Sequence, residues 1–315
     1  DSTDEKIIHN LEILAENYGK WIKSQEYLLN NIEDRYKESA NQIVQDQKDI
    51  LKRIYKGIEL LKFNSDYMEL YKLANGAMLI NMAKTKKLNI KDPEVLKNAQ
   101  ISYHSFQLAF LLINIESVVN EQSKIRENSI DLLWFPTGSG KTEAYFLLAS
   151  CSLLFRRYKY GDKGLGTSVI MRYTLRLLTA QQFERASQMI LSLNYVCSKY
   201  MPELIKIKPY SIGLWIGESS TPNKLEGDEN SAANQIQQIV DAQDIETARK
   251  LNKFPLSDCP WCGHSLIEKG RTGFMISRNK FEVKCLNPEC DFYKVLPLDF
   301  IDESIYKNPP SLLFS

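Results

Sequence analysis

Residues 130–145 read IDLLWFPTGSGKTEAY. The run at 130–135 is mostly apolar and predicts a short buried strand. TGSGKT at 137–142 is a glycine-rich turn, and Lys141 opens an apolar helical pattern, KTEAYFLLASCSLLFRRY. Strand, glycine loop and helix in that order form the setting in which a chain holds phosphate. Gly138 and Gly140 let the backbone bend so that its N–H groups face phosphate oxygens. The helix start adds favourable dipole. Lys141 is the residue expected to reach the β- and γ-phosphates of ATP, and Thr142 the one expected to ligate Mg²⁺. Thr137, Gly138, Ser139, Gly140, Lys141, Thr142 and Glu143 make up the expected nucleotide site, with Lys141 and Thr142 its catalytic pair. The general pattern G-x-x-x-x-G-K-[ST] is not met at its outer glycine, where Phe135 stands.

Downstream, the apolar, β-branched GTSVIMRY (166–173) predicts a second strand. RLLTAQQFERASQMILSLNYVCSKY (176–200) predicts a long amphipathic helix, and YSIGLWIG (210–217) a third strand. Alternating strands and helices imply α/β architecture, a parallel sheet with crossover helices. Upstream, the first proline is Pro93. Ile7, Leu11, Leu14, Tyr18, Trp21, Leu28 and Ile32 form one helical stripe, and Ile43, Gln47, Ile50, Ile54, Ile58 and Leu61 a second. The expected organisation is an all-helical N-terminal domain at 1–100, whose polar stretch 85–100 reads as a linker, then a nucleotide domain at 101–217. An insertion at 218–300 and a return into the nucleotide domain at 301–315 complete it. The helical stretch IQQIVDAQDIETARKL (236–251) falls inside the insertion.

Four of the six cysteines form two pairs, Cys259-x2-Cys262 and Cys285-x4-Cys290, separated by 22 residues. That spacing suits one tetrahedral Zn²⁺ on four thiolates, a zinc ribbon at 259–290, with GFMISRN and KFEVKC as its strands. His264 is the weaker ligand candidate. Lys269, Arg271, Arg278, Lys280 and Lys284 give this region a basic face that suits a DNA backbone or an acidic partner, or only a solvated surface.

Lys and Arg number 40 against 39 Asp and Glu, so a nucleic-acid surface has to be local. The most apolar runs, LAFLLINI and AYFLLASCSLLF, fall short of the roughly 20 residues that cross a bilayer. No secretory signal is visible, and the expectation is a cytoplasmic protein with no membrane association.

PTGSGKT without the outer glycine resembles superfamily 2 helicases. YHSFQLAFLL (103–112) resembles the segment in which a glutamine recognises adenine, with Gln107 in that place. SVIMRYTLRLLTAQQFERA (168–186) resembles the helicase segment that touches single-stranded DNA, with Arg172, Thr174 and Arg176 as the phosphate contacts. LLWFPTGSGKTEAY, VIMRYTLRLLTAQQFERA, GLWIGESSTPN, DESIYKNPPSLLFS and KGIELLKFNSDYMELYKLANGAMLINM together resemble the DrmA helicase family of the bacterial DISARM anti-phage system. The resemblance implies an ATP-dependent DNA translocase or helicase with RecA-like domains and a companion protein, DrmB. Its DNA would be single-stranded, or duplex with a single-stranded end.

Asp302-Glu303 in VLPLDFIDES reads as a decoy for the Mg²⁺-binding carboxylates, because Pro297 and Asp299 interrupt its lead-in. The expectation is therefore an incomplete RecA-like domain that binds ATP without efficient hydrolysis. The competing readings are a non-catalytic module that uses nucleotide as a switch for DNA or partner binding, and a DNA-repair helicase.

Overall fold

The structure is a computed structural model and describes residues 3–172, 176–217 and 221–315, apart from the side chains of 176–180. The chain divides into two compact units. One comprises the chain up to Asn75 with Asp92–Phe155; the other comprises Gly76–Lys91 with Arg156–Ser315.

The first unit is helical. α1 (Asp4–Leu28) starts where the Thr3 hydroxyl accepts from the Lys6 N–H at 3.3 Å, with Asp4 and Glu5 complementing the dipole in the first turn. A short 3-10 turn leads to α2 (Asp34–Phe63), which packs on α1. The buried face of α1 is Ile8, Leu11, Ala15 and Ile22, while Trp21 and Leu28 lie outside. The face is thus turned from the stripe read in the sequence, because the small Ala15 allows close approach and the large Trp21 does not need to enter. Likewise α2 buries Val44, Ile54, Gly57, Ile58 and Leu61, and Ile43 is exposed.

α3 (Ser65–Thr85) follows, and the stretch read as a linker contains α4 (Pro93–Asn98). Asp92 caps α4 by accepting from the Glu94 and Val95 N–H groups, and Pro93 sits at a position where no N–H is needed. α5 (Ser105–Val119) crosses α2 at Gly57. After α6 (Lys124–Asn128) the chain runs through 130–140 to α7 (Lys141–Tyr160).

Residues 130–135 are not a strand. Asp131 is held by Arg53, whose guanidinium donates to both carboxylate oxygens at 2.6 Å and to the Ile113 carbonyl at 2.9 Å. Ile130, Leu132 and Trp134 point outward, 99%, 80% and 85% exposed. The alternation of a strand is present, but no neighbouring backbone pairs with it among the described residues.

The second unit holds the parallel sheet. In chain order it contains β1 (Val169–Met171), α8 (Arg176–Tyr200), β2 (Ile212–Leu214), α9 (Ala232–Val240) and α10 (Ile245–Leu251). Then come the short strands β3 (Ile267–Glu268), β4 (Arg271–Thr272), β5 (Phe274–Ser277) and β6 (Lys280–Val283). The last elements are β7 (Leu298–Asp299), α11 (Asp302–Lys307) and β8 (Leu312–Phe314). The sheet order is β1-β8-β2-β7, all parallel, with Ile170 opposite Leu313 and Gly213 opposite both Leu313 and Asp299.

α8 spans the whole helical pattern read at 176–200. Asn194 pins it to the start of β2. Its amide donates to the Tyr210 carbonyl at 2.8 Å and accepts from the Tyr210 N–H at 2.9 Å. The helical stretch at 236–251 is two helices, because Asp244 caps α10 by accepting from the Thr247 N–H at 2.8 Å and breaks the run.

β5 and β6 form an antiparallel hairpin with Ser277 opposite Lys280. Its turn residues, Arg278 and Asn279, both have positive φ (49° and 58°), the conformation that matches strand twist in a two-residue hairpin. Beneath it Phe254, Phe274, Phe281 and Phe300 form one aromatic cluster, with centroids 4.6 Å apart for Phe254–Phe274 and 4.7 Å for Phe281–Phe300.

Candidate functional site

The residues expected to hold phosphate all lie in the first unit. Gly138 and Gly140 have φ of 84° and 89°, in the left-handed region that favours glycine. A Cβ at Gly138 would meet nothing within 4 Å, whereas one at Gly140 would come within 2.6 Å of the Gln107 amide nitrogen. The loop is therefore open on one side and closed by α5 on the other. Lys141 is the first residue of α7, and its ammonium donates to the carbonyls of Phe135 (2.6 Å) and Pro136 (2.9 Å). Two of its three N–H bonds thus go to its own loop. The Ser139 hydroxyl is buried without a partner. Glu143 lies in the first turn of α7.

Gln107, 3% exposed, is brought to this loop by α5. Its amide nitrogen donates to the Gly140 carbonyl at 2.7 Å, and its amide oxygen accepts from the His104 N–H at 2.8 Å. A carboxamide offers two donors and two acceptor positions. One of each remains, the pair that an adenine edge matches. Beside Gln107, the ring of Phe106 stacks on Phe135 with centroids 4.1 Å apart and planes 20° apart. In the sequence Phe106 was passed over, and Phe135 was noted only as a departure from the glycine pattern. The signals were there: one adjoins Gln107 and the other stands at the outer-glycine position.

Of the residues assigned to DNA, Arg172 is exposed just after β1. Thr174 lies outside the described residues, as does the side chain of Arg176, which starts α8.

The four cysteines come together. The Sγ atoms of Cys259, Cys262, Cys285 and Cys290 all lie within 4.8 Å of one another and can hold a metal ion. A tetrahedron of thiolates around zinc, with bonds of about 2.3 Å, needs sulfur separations of about 3.8 Å. Both cysteines of the second pair sit in turns suited to thiolates. The Asn287 N–H donates to Cys285 Sγ and the Phe292 N–H to Cys290 Sγ, each at 3.4 Å. His264 pairs instead with Glu268 at 3.0 Å, as does Arg271 at 2.6 Å. Arg271 is thus committed to an acid, while Lys269 and Arg278 are exposed and Lys280 and Lys284 half-buried.

The first knuckle is fastened within its own unit. The Trp261 indole donates to Asp291 at 2.9 Å, and Asp291 pairs with Lys91 at 3.2 Å. The Lys84 ammonium lies 4.2 Å from the Trp261 ring centroid, and burial holds its pKa below the ordinary lysine value. Asp302 and Glu303 begin α11 rather than ending a strand. Glu303 accepts from the Leu225 N–H at 2.9 Å and pairs with Lys307 at 2.6 Å.

Over 98% of its length the chain is 31% identical to the DISARM protein DrmA of Bacillus paralicheniformis. The chain is a DrmA relative. It spans 28% of the length of that protein. No protein-family model matches the chain. No helix among the described residues is long and apolar enough to cross a membrane.

Proposed function

We propose that this chain is the nucleotide-binding part of an ATP-dependent DNA helicase or translocase that acts in anti-phage defence. The observation that carries the reading is the likeness to a DISARM protein along nearly the whole chain. The loop supports the nucleotide half of it. The two glycines hold positive φ, the Ser139 hydroxyl lacks a partner, and Lys141 has one N–H to spare.

In this reading the N–H groups of 138–142 and the α7 dipole hold the phosphates, and Lys141 moves from its own carbonyls onto them. Thr142 takes Mg²⁺, which when bound neutralises charge on the phosphates. Gln107 reads the base with its free donor and acceptor. Arg172, Thr174 and Arg176 hold the backbone of single-stranded DNA, and the companion DrmB is the expected protein partner. Cys259, Cys262, Cys285 and Cys290 hold one structural Zn²⁺. Asp302 and Glu303 begin α11 rather than ending a strand, so in this reading residues 1–315 bind ATP and turn it over poorly.

The test compares wild type with Lys141→Ala for ATP binding on residues 1–315, and for DNA-stimulated ATPase activity in the full-length protein. Loss of binding and of turnover in the variant is expected. A full-length protein that binds DNA in a nucleotide-dependent way but never hydrolyses ATP would replace the motor with the switch.

A further inference from the structure

We propose that the Phe106–Phe135 ring stack is the joint that holds the phosphate loop in its binding conformation, so both phenylalanines are positioning residues for the nucleotide. The inference rests on the nucleotide reading above and adds a mechanism to it.

The first turn of α5 grips the loop at both ends with two consecutive residues. Phe106 meets the loop entrance through Phe135, with centroids 4.1 Å apart. Gln107 meets the loop exit through the Gly140 carbonyl at 2.7 Å. His104 extends the grip by stacking on Phe106 and by donating its N–H to Gln107. Gly138 lies between these holds and Gly140 forms the second, and these glycines are the loop residues with most backbone freedom to lose. A loop of that kind binds weakly unless something else restricts it beforehand.

The general phosphate-loop pattern has glycine at the position of Phe135. A glycine there would have no ring to offer Phe106. Phe135 is 41% exposed, so its ring is not simply filling a core. Its carbonyl also receives the Lys141 ammonium at 2.6 Å, so moving Phe135 moves the lysine's resting place.

Calorimetric titration of the chain with Mg²⁺–ATP and with inorganic tripolyphosphate tests this. Phe135→Ala and Phe106→Ala are each expected to weaken tripolyphosphate binding about two- to tenfold, the range of an aromatic pair. The double variant should lose no more than either single, because both remove the same contact. Phe135→Tyr keeps the ring and should bind as wild type. Phe106→Leu, which keeps apolar volume without a ring face, should bind like Phe106→Ala and covers the case in which alanine disturbs α5.

Folded variants with unchanged tripolyphosphate affinity would overturn the joint, as would losses that multiply in the double variant. A wild-type chain that binds neither ligand would overturn the nucleotide reading itself, which is a different failure.

Discussion

Gly57 decides how closely α2 and α5 approach, and Gly57→Ala measures it. A Cβ at this position would sit 2.3 Å from the Leu112 carbonyl oxygen, 3.0 Å from its carbon and 3.1 Å from Ile115 Cγ2. Carbon–oxygen contacts of this kind run about 3.3–3.6 Å, so the α5 backbone has to retreat by about 1 Å. The obstacle is backbone and cannot rotate away. Overpacking of this sort costs about 3 kcal/mol at the upper end of its usual range. Opposing it, alanine is better than glycine in a helix by about 1 kcal/mol. The clash wins, and the variant should be less stable by about 2 kcal/mol, the difference of those two effects. Gly19→Ala in α1 is the control. Its Cβ would meet only Leu51 Cδ2 at 3.3 Å, the end of a flexible side chain, so propensity dominates and stability should hold or rise by up to about 1 kcal/mol. Urea unfolding followed by far-ultraviolet circular dichroism reads both. A Gly57→Ala chain as stable as Gly19→Ala would refute the close crossing of α2 on α5.

Two further outcomes follow from the second unit. The carboxyl of Asp299 is pushed up to about 6 by burial, against the hydrogen bonds from Ser304 and the Ile301 N–H, which lower it. A carboxyl raised on folding stabilises most at low pH, below its unfolded value of 3.8, and loses that contribution as pH rises through about 6. Asp299→Asn should therefore flatten the pH dependence of stability between about 4 and 6 and gain up to about 3 kcal/mol at pH 7; an unchanged pH profile would contradict it. The four cysteines should hold one zinc per chain by elemental analysis. Cys285→Ser should release it and lower the midpoint of unfolding, whereas full zinc retention in that variant would remove Cys285 from the ligand set.

The glycine turn before α7 and the cysteine cluster were legible because each is a local spacing of unusual residue types. α8 was legible because twenty-five residues of one period leave little choice. Residues 130–135 misled for a definite reason. Apolar alternation says that a segment can pair, but a strand exists only where another backbone pairs with it. The stripe on α1 was misplaced because hydrophobicity alone ranks Trp21 above Ala15, while close packing of two helices favours the small residue. The break at Asp244 was overlooked because apolar periodicity continues across it, although an aspartate three residues before a threonine N–H is a cap. The Gly57 crossing and the Arg53–Asp131 pair join residues 55 or more apart, and no spacing rule reaches that far.

The order β1-β8-β2-β7 has a consequence for how the chain is made. β8, residues 312–314, lies between β1 and β2, and β1 pairs with nothing else among the described residues. Synthesis runs from the N-terminus, so β1 leaves the ribosome with its pairing edge bare and waits for more than a hundred residues to follow. The α1–α2 pair closes early from sequence neighbours, whereas the sheet forms only through contacts of long sequence separation. During that interval Ile170, 67% exposed even after folding, is the residue most open to a wrong partner, which makes it the natural place for a solubilising substitution when the chain is produced for experiment.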